Sequence, residues 1–240
     1  MRTYSLQLIR YLLAGILLTG AAFAQSVTNI SNQYSFNHLA DAGGWVTGMD
    51  IHPSGSPIFV RADVGDAYRW NPNTNRWISL VNTNTMDPAD YGAADVRRYG
   101  YVGVSSIVSA PSNADRAYLA VNGRFFYSNN QGNNWSKANS VSIGTVYMEP
   151  NARDGREMGE RLAVDPQNAN VVYYGSNQDG LLRSTNGGQS WTIPTNSVPT
   201  GKASLKGSNP GNTGNISYPG VIPLVDGTSS LVNGRSSRVF

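Results

Sequence analysis

Two markers recur along this chain at one spacing, and that periodicity limits the possible folds more than any other feature of the sequence. Ser184-Thr185-Asn186-Gly187-Gly188-Gln189-Ser190-Trp191 matches Ser128-Asn129-Asn130-Gln131-Gly132-Asn133-Asn134-Trp135 as S-x-N-x-G-x-x-W. A degenerate copy, Trp70-Asn71-Pro72-Asn73-Thr74-Asn75-Arg76-Trp77, keeps the closing Trp and a turn-rich composition. The closing tryptophans Trp77, Trp135 and Trp191 stand 58 and 56 residues apart. Independently, short apolar stretches end in proline turns at Ile51-His52-Pro53-Ser54, Ser109-Ala110-Pro111-Ser112 and Val164-Asp165-Pro166-Gln167, whose prolines are 58 and 55 residues apart. Each turn leads into strand-forming residues: Ile58-Phe59-Val60, Ala117-Tyr118-Leu119 and Val171-Val172-Tyr173-Tyr174. Repeats of this length with several short strands each describe the blades of an all-β propeller.

The S-x-N-x-G-x-x-W box has a mechanical reading. Its Asn side chain caps backbone amides of a hairpin turn, its Gly supplies a positive φ, and its Trp packs back over the hairpin. The box is therefore a folding device, of the Asp-box (BNR) kind, and its polar residues are not site candidates. A fourth unit opens near Gly220-Val221-Ile222-Pro223 and reaches Arg238-Val239-Phe240, where earlier units begin their second strand. That amounts to about three and a half blades, too few to close a ring. The reading is the amino-terminal part of a longer protein, in a single partial propeller domain over residues 25–240.

Residues 1–24 read as a signal peptide. Met1 to Arg10 is basic, Tyr11 to Ala21 is mostly apolar, and Ala22-Phe23-Ala24 offers small residues to a signal peptidase. An apolar run this short falls well below the roughly 20 residues that cross a bilayer. A secreted or periplasmic protein is expected, with no membrane attachment once the signal is cleaved.

Composition narrows the chemistry. The chain holds 18 Lys and Arg against 15 Asp and Glu, so nothing in its balance marks a nucleic-acid partner. With 14% charged residues and 26 glycines, long salt-bridged helices are disfavoured and short strands joined by turns are favoured. There is no cysteine, and His38 and His52 are the only imidazoles, which removes thiolate chemistry and makes a histidine metal centre implausible. No cofactor is expected, and no Ser-His-Asp set or phosphate-cradling loop is present.

Two polar segments carry the remaining chemistry. Arg61-Ala62-Asp63-Val64-Gly65-Asp66-Ala67-Tyr68-Arg69-Trp70 falls between the second and third strands of the first unit and gathers two carboxylates, two arginines and two aromatics. It is either a turn with solvated charges or a group that binds sugar hydroxyls and sets a general base beside an aromatic platform. Asn151-Ala152-Arg153-Asp154-Gly155-Arg156-Glu157-Met158-Gly159-Glu160-Arg161 precedes the strand Leu162-Ala163-Val164. Either Arg156, Glu160 and Arg161 pair with one another and brace neighbouring blades, or this loop lines the same cleft as Asp63. Trp45, Tyr68, Trp70, Tyr99, Tyr101 and Tyr147 are candidates to stack on sugar rings. Asp95, Arg97 and Arg98 lie in a long connection that serves as linker or rim.

Gly43-Gly44-Trp45-Val46-Thr47-Gly48, the Arg61–Trp70 segment, Asp154 through Pro166, and Asp179-Gly180-Leu181-Leu182-Arg183-Ser184 together resemble the amino-terminal propeller of glycoside hydrolase family 74 xyloglucanases. The match runs in order from about Gly43 to Pro194 and is specific as a set. The boxes alone are shared with sialidases, sortilin-type receptors and photosystem assembly factors. The resemblance implies two seven-bladed propellers facing across a cleft and hydrolysis of the β-1,4-glucan backbone of xyloglucan with inversion. It implies that Asp63 is the general base and that the general acid comes from a second, carboxy-terminal propeller. Trp45, Asp66, Tyr68, Arg69, Arg156 and Glu160 are then the candidate substrate-binding residues. Asp66 departs from the family pattern, which has Gly there; a second negative charge near the base would raise its pKa or compete for its partners. The rival readings are a non-catalytic BNR-repeat propeller that binds glycans or protein partners and, less well matched, a sialidase.

Overall fold

In the computed structural model, the described residues are 46–62, 67–91, 104–121, 124–141, 160–175, 180–194 and 222–240, all within the unit Asn37–Phe240. The first repeat is a four-stranded antiparallel sheet of β1 (Val46–Ile51), β2 (Ile58–Ala62), β3 (Ala67–Asn71) and β4 (Arg76–Ser79), paired in chain order. The second, β5 (Val104–Ala110), β6 (Asn113–Val121), β7 (Arg124–Ser128) and β8 (Ser136–Lys137), repeats that topology. A short β9 (Ser140–Val141) follows. The third sheet holds β10 (Leu162–Asp165), β11 (Asn168–Gly175) and β12 (Leu181–Ser184), and an Arg183–Thr192 bridge adds the start of a fourth strand. Just before it, β13 (Ser190–Trp191) pairs in parallel with β9, tying the third repeat to the end of the second. Each proline turn read from the sequence joins the first two strands of its sheet.

The strand pleat explains how sheets stack. Alternate residues of a strand face opposite sides, and β6 uses both. Ala117, Leu119 and Val121 join Phe59, Ala67 and Leu80 of the first sheet in one buried cluster. Tyr118 and Ala120 join Leu162, Val164, Val172, Tyr174, Leu182 and Trp191 of the third sheet in another. β11 does the same one step on: Val172 and Tyr174 face the second sheet, while Val171 and Tyr173 cluster with Val225 of the last segment. Central strands buried on both faces read as continuous apolar runs, as Ala-Tyr-Leu-Ala-Val and Val-Val-Tyr-Tyr do here. Consecutive four-stranded sheets packed face to face in chain order are the blades of a propeller.

In the last segment, Leu224 and Phe240 exchange backbone hydrogen bonds of 2.9 and 2.8 Å around a Val225–Val239 bridge. Between them lies a hairpin of β14 (Leu231–Val232) and β15 (Arg235–Ser236).

The boxes work as capped turns. Ser128 Oγ accepts from the Gly132 amide at 2.9 Å, and Asn130 Oδ1 accepts from the Asn134 amide at 3.0 Å. Ser184 and Asn186 repeat both bonds at 2.9 and 3.0 Å. Gly132 and Gly188 each sit at φ +81, and a Cβ there would stand 2.9 Å from Trp135 and Tyr118 respectively. Glycine is needed for conformation and for space. The tryptophans differ from the simple expectation. Trp191 Nε1 donates to Gly188 O of its own turn at 3.1 Å, but Trp135 Nε1 reaches the preceding sheet and donates to Leu80 O at 2.9 Å. A closing Trp thus binds its own hairpin or the neighbouring blade.

Candidate functional site

The first strands β1, β5 and β10 lie side by side, and polar side chains tie each to the next. Asp50 Oδ2 on β1 accepts from the Ser109 amide at 2.8 Å and from Ser109 Oγ at 2.5 Å on β5. Ser106 Oγ on β5 accepts from the Arg161 and Leu162 amides, at 2.8 and 3.0 Å, where β10 begins. Glu160, directly before them, reaches the first sheet: its Oε2 lies 3.6 Å from Arg61 Nε. This distance makes an ion pair rather than a hydrogen bond. It links β2 to the start of the third sheet across 99 residues of chain.

Arg61 is 1% exposed, so its guanidinium is held inside the fold. Register explains where it lies. Arg61 pairs with Gly48 across β1 and β2, next to a bulge between Val46 and Gly48. A Cβ on residue 48 would stand 2.6 Å from Arg61 Nε, so the guanidinium occupies the space a side chain would fill. Thr47 Oγ1 accepts from Arg61 Nη1 at 3.0 Å. Glu160 comes against this enclosed guanidinium from the start of the third sheet.

Glu160 is set between opposing influences. Burial pushes its carboxyl from 4.5 up to about 7, and the nearby Asp50 charge adds to the rise. The Arg61 guanidinium and the Leu162 and Arg161 amides pull the other way, the latter amide donating to Oε1 at 3.2 Å. Its side chain still keeps 29% of its surface open, so the carboxyl meets solvent while most of its environment is protein. Burial also raises Asp50 against the lowering pull of its Ser109 bonds. A carboxyl titrating near neutrality can give or take a proton under ordinary conditions.

The sequence-named residues separate on this geometry. Glu160 meets Arg61 of the Arg61–Trp70 segment, two residues before Asp63 in the chain. Its ion pair is with Arg61, and toward Arg161 it bonds through the backbone amide. Tyr68 is 7% exposed and packs with Val60, Ala62 and Trp77 on the first sheet. Arg69 reaches the second box, where Nη1 donates to Gln131 O at 2.7 Å and Nη2 to Asn133 Oδ1 at 2.9 Å. Arg116 does the equivalent one blade on, donating to Gly187 O of the third box. Arg69 is therefore an inter-blade brace in this fold. Trp70 is half-buried, edge-on to Trp77 at 5.3 Å. Asp63, Asp66, Trp45, Arg156, Tyr99, Tyr101 and Tyr147, with residues 1–24 and Asp95, Arg97 and Arg98, lie outside the described residues. The sequence reading missed Gly48 and Asp50 as members of the site. The signal was a small residue opposite a buried arginine, visible only once the bulged register is known. Among the described residues no group of three His, Cys, Asp or Glu is arranged to hold a metal, and no helix is long and apolar enough to cross a membrane.

No family model matches the sequence. The chain is similar to "Xyloglucanase Xgh74A" of Acetivibrio thermocellus, 33% identical over 184 residues, which cover 72% of this chain and 20% of that protein. Among solved structures it is similar to the GH74 enzyme of Niastella koreensis, with 29% identity, a TM-score of 0.61, and coverage of 82% of this chain and 26% of that one. It is also similar to the GH74 xyloglucanase of Xanthomonas campestris, with 26% identity, a TM-score of 0.64, and coverage of 82% and 27%. The chain spans about a fifth of the length of the curated relative it matches. In sequence and in fold the chain belongs to the β-propeller family of the family 74 xyloglucanases.

Proposed function

We propose that this family 74-type chain carries the water-activating side of a xyloglucan-hydrolysing active site, with Asp63 as general base. The observation that carries the reading is the 33% identity over 184 residues to a protein named as a xyloglucanase. The Arg61–Glu160 contact supports it, because it gathers buried charge at the end of β2, one residue before Asp63 in the chain. In this reading a water oxygen bonds to the anomeric carbon of a β-1,4-linked glucosyl unit as Asp63 takes its proton. The bond to the leaving oxygen breaks, and a second carboxylic acid protonates that oxygen. Attack from the opposite face inverts the anomeric centre. Inversion places the two carboxyls roughly 6.5–9.5 Å apart to admit the water. That acid belongs to a second propeller of the same protein, and the substrate is a xyloglucan-type polysaccharide met after export.

The test is to express the whole reading frame with and without Asp63→Ala and measure reducing ends released from xyloglucan. Losing a general base lowers turnover by about 10²–10⁴-fold; wild-type rates in the variant refute the assignment. A non-catalytic propeller that binds glycans is the second reading, and the use of Tyr68 and Arg69 in packing bears on it, since residues that the hydrolase reading gives to substrate serve the fold instead. It predicts that the intact wild-type protein binds xyloglucan oligosaccharides and releases no reducing ends.

A further inference from the structure

We propose that Tyr173, Arg183 and Arg235 form a binding site for a carboxylate ligand, at the seam between the third sheet and the last hairpin. The inference goes beyond the hydrolase reading and does not depend on it.

Register sets two of the three side by side. Tyr173 of β11 pairs with Arg183 of β12, so both side chains leave one face of the third sheet, the face on which Tyr173 clusters with Val225. The third residue arrives on the hairpin of β14 and β15, inserted between the bridged residues Val225 and Val239. In the three earlier units a short proline turn makes the same connection. Side chains of the β10–β11 turn pin this hairpin. Asp165, fully buried, accepts from the Ser236 amide at 2.5 Å and from Ser236 Oγ at 2.8 Å. Gln167 Nε2 donates to Ser236 Oγ at 2.9 Å, and Asn168 Nδ2 donates to Gly234 O at 2.6 Å. Arg235 is therefore held by its neighbours on both sides. Burial raises the Tyr173 pKa, and the charges of Arg183 and Arg235 both pull it down, so the two guanidiniums converge on one hydroxyl.

These cations lack the partners that other arginines of the fold have. Arg69 stands one residue before the degenerate box as Arg183 stands before Ser184, and Arg69 commits its guanidinium to atoms of the next turn. Arg183 Nε is buried with no hydrogen bond, and neither the Arg183 nor the Arg235 side chain makes a hydrogen bond or ion pair with the described residues. The adjacent carboxylates are committed: Asp165 also accepts from the Gln167 amide at 2.9 Å, and Asp226 pairs with Arg238 at 2.8 Å. A buried donor left unmade is costly, and two like charges drawn together repel. A neutral carbonyl would answer the donor and leave the repulsion. A carboxylate answers both, because its two oxygens match the donor fork of a guanidinium while accepting from a hydroxyl. Arg183 and Arg235 are each only half-buried, so a ligand reaches them from solvent.

The test uses glucuronate as probe and glucose as its neutral counterpart, in the full chain. Calorimetry reads the affinity, and the nitrogen NMR signal of Arg183 Nε–H, assigned by its absence in Arg183→Ala, reads the place. Glucuronate should bind saturably and shift that signal, and glucose should do neither. Arg183→Ala and Arg235→Ala should each weaken glucuronate by about tenfold or more, as expected for losing a charged hydrogen bond. No saturable shift with glucuronate overturns the proposal, as does wild-type affinity in both arginine variants. If Arg183 serves instead to brace a turn, as Arg69 does, Arg183→Ala lowers the Tm and leaves glucuronate affinity unchanged, which overturns it too. Should Arg183→Ala fail to fold, Arg183→Lys keeps the charge and removes the fork, and with Arg235→Ala it decides the matter. Binding is read without turnover, so a negative result leaves the Asp63 assignment where it stands.

Discussion

Glu160→Gln should make the chain's stability less dependent on pH. A carboxyl whose folded midpoint rises from 4.5 to about 7 binds its proton more tightly in the folded state than in the unfolded one. The sign follows from linkage: its contribution to stability is fully present below 4.5 and is lost as pH climbs through 7. That rise corresponds to about 3 kcal/mol between the two limits. With 29% of the side chain open to water, screening reduces the figure to about 2 kcal/mol. The glutamine amide resembles the protonated carboxyl present at low pH and never ionises. The variant should therefore match wild type near pH 4.5 and become the more stable of the two by about 2 kcal/mol at pH 8. Urea denaturation of both proteins at pH 4.5, 6, 7 and 8 measures the difference directly, and Asp50, whose carboxyl burial also raises, is present in both. A variant that loses stability relative to wild type as pH rises would refute the reasoning. It would mean that attraction to Arg61 outweighs burial and that Glu160 is an ordinary anion.

Gly48→Ala should destabilise the fold by about 1–3 kcal/mol, because its methyl would stand 2.6 Å from Arg61 Nε and something must move; denaturation midpoints give the cost. Ser184→Ala leaves the Gly188 amide without its acceptor in a buried turn, and should cost about 1–3 kcal/mol by the same measurement. Leu119→Ala opens a cavity between the first two sheets and should cost about 2–5 kcal/mol. Arg69→Ala cuts the hydrogen bonds to the second box and should lower the Tm while leaving xyloglucan-oligosaccharide affinity in calorimetry unchanged; a loss of affinity at unchanged Tm would return Arg69 to the substrate.

What could be read from the sequence is what is local. A Ser two residues before an Asn and four before a Gly closes its own turn, and a proline turn between apolar runs joins adjacent strands; both hold at each full copy. Residues that act across sheets carry no local signature. Arg69 and Arg116 look like strand-borne surface cations, yet they grip box carbonyls 62 and 71 residues ahead. Tyr68 looks like a platform beside acidic residues, but its pairing with Val60 across β2 and β3 sets it on the same packed face. Arg61 and Glu160 were both visible as polar residues in suspect loops. What linked them was the succession of stacked sheets, which lets residue 160 meet residue 61 past the edge of β5.

The arginines separate the two kinds of role. Arg69 and Arg116 each hold a turn of the following blade through backbone carbonyls, neutral partners that ask for geometry rather than charge. Arg61 differs from these two. Its ionic partner is a carboxylate that itself sits at an unfavourable midpoint near 7, so neither member is at ease in its surroundings. If the pair served only to fasten the first sheet to the third, apolar residues of similar volume would do so at lower cost, as they do between the first and second sheets and between the second and third. A double variant, Arg61→Leu with Glu160→Met, tests this in one protein. A purely mechanical tie predicts equal or greater stability with xyloglucan hydrolysis by the whole protein intact. A tie that serves chemistry predicts equal or greater stability with hydrolysis lost. Only the second outcome is compatible with a cation retained at the end of β2 for the sake of its charge.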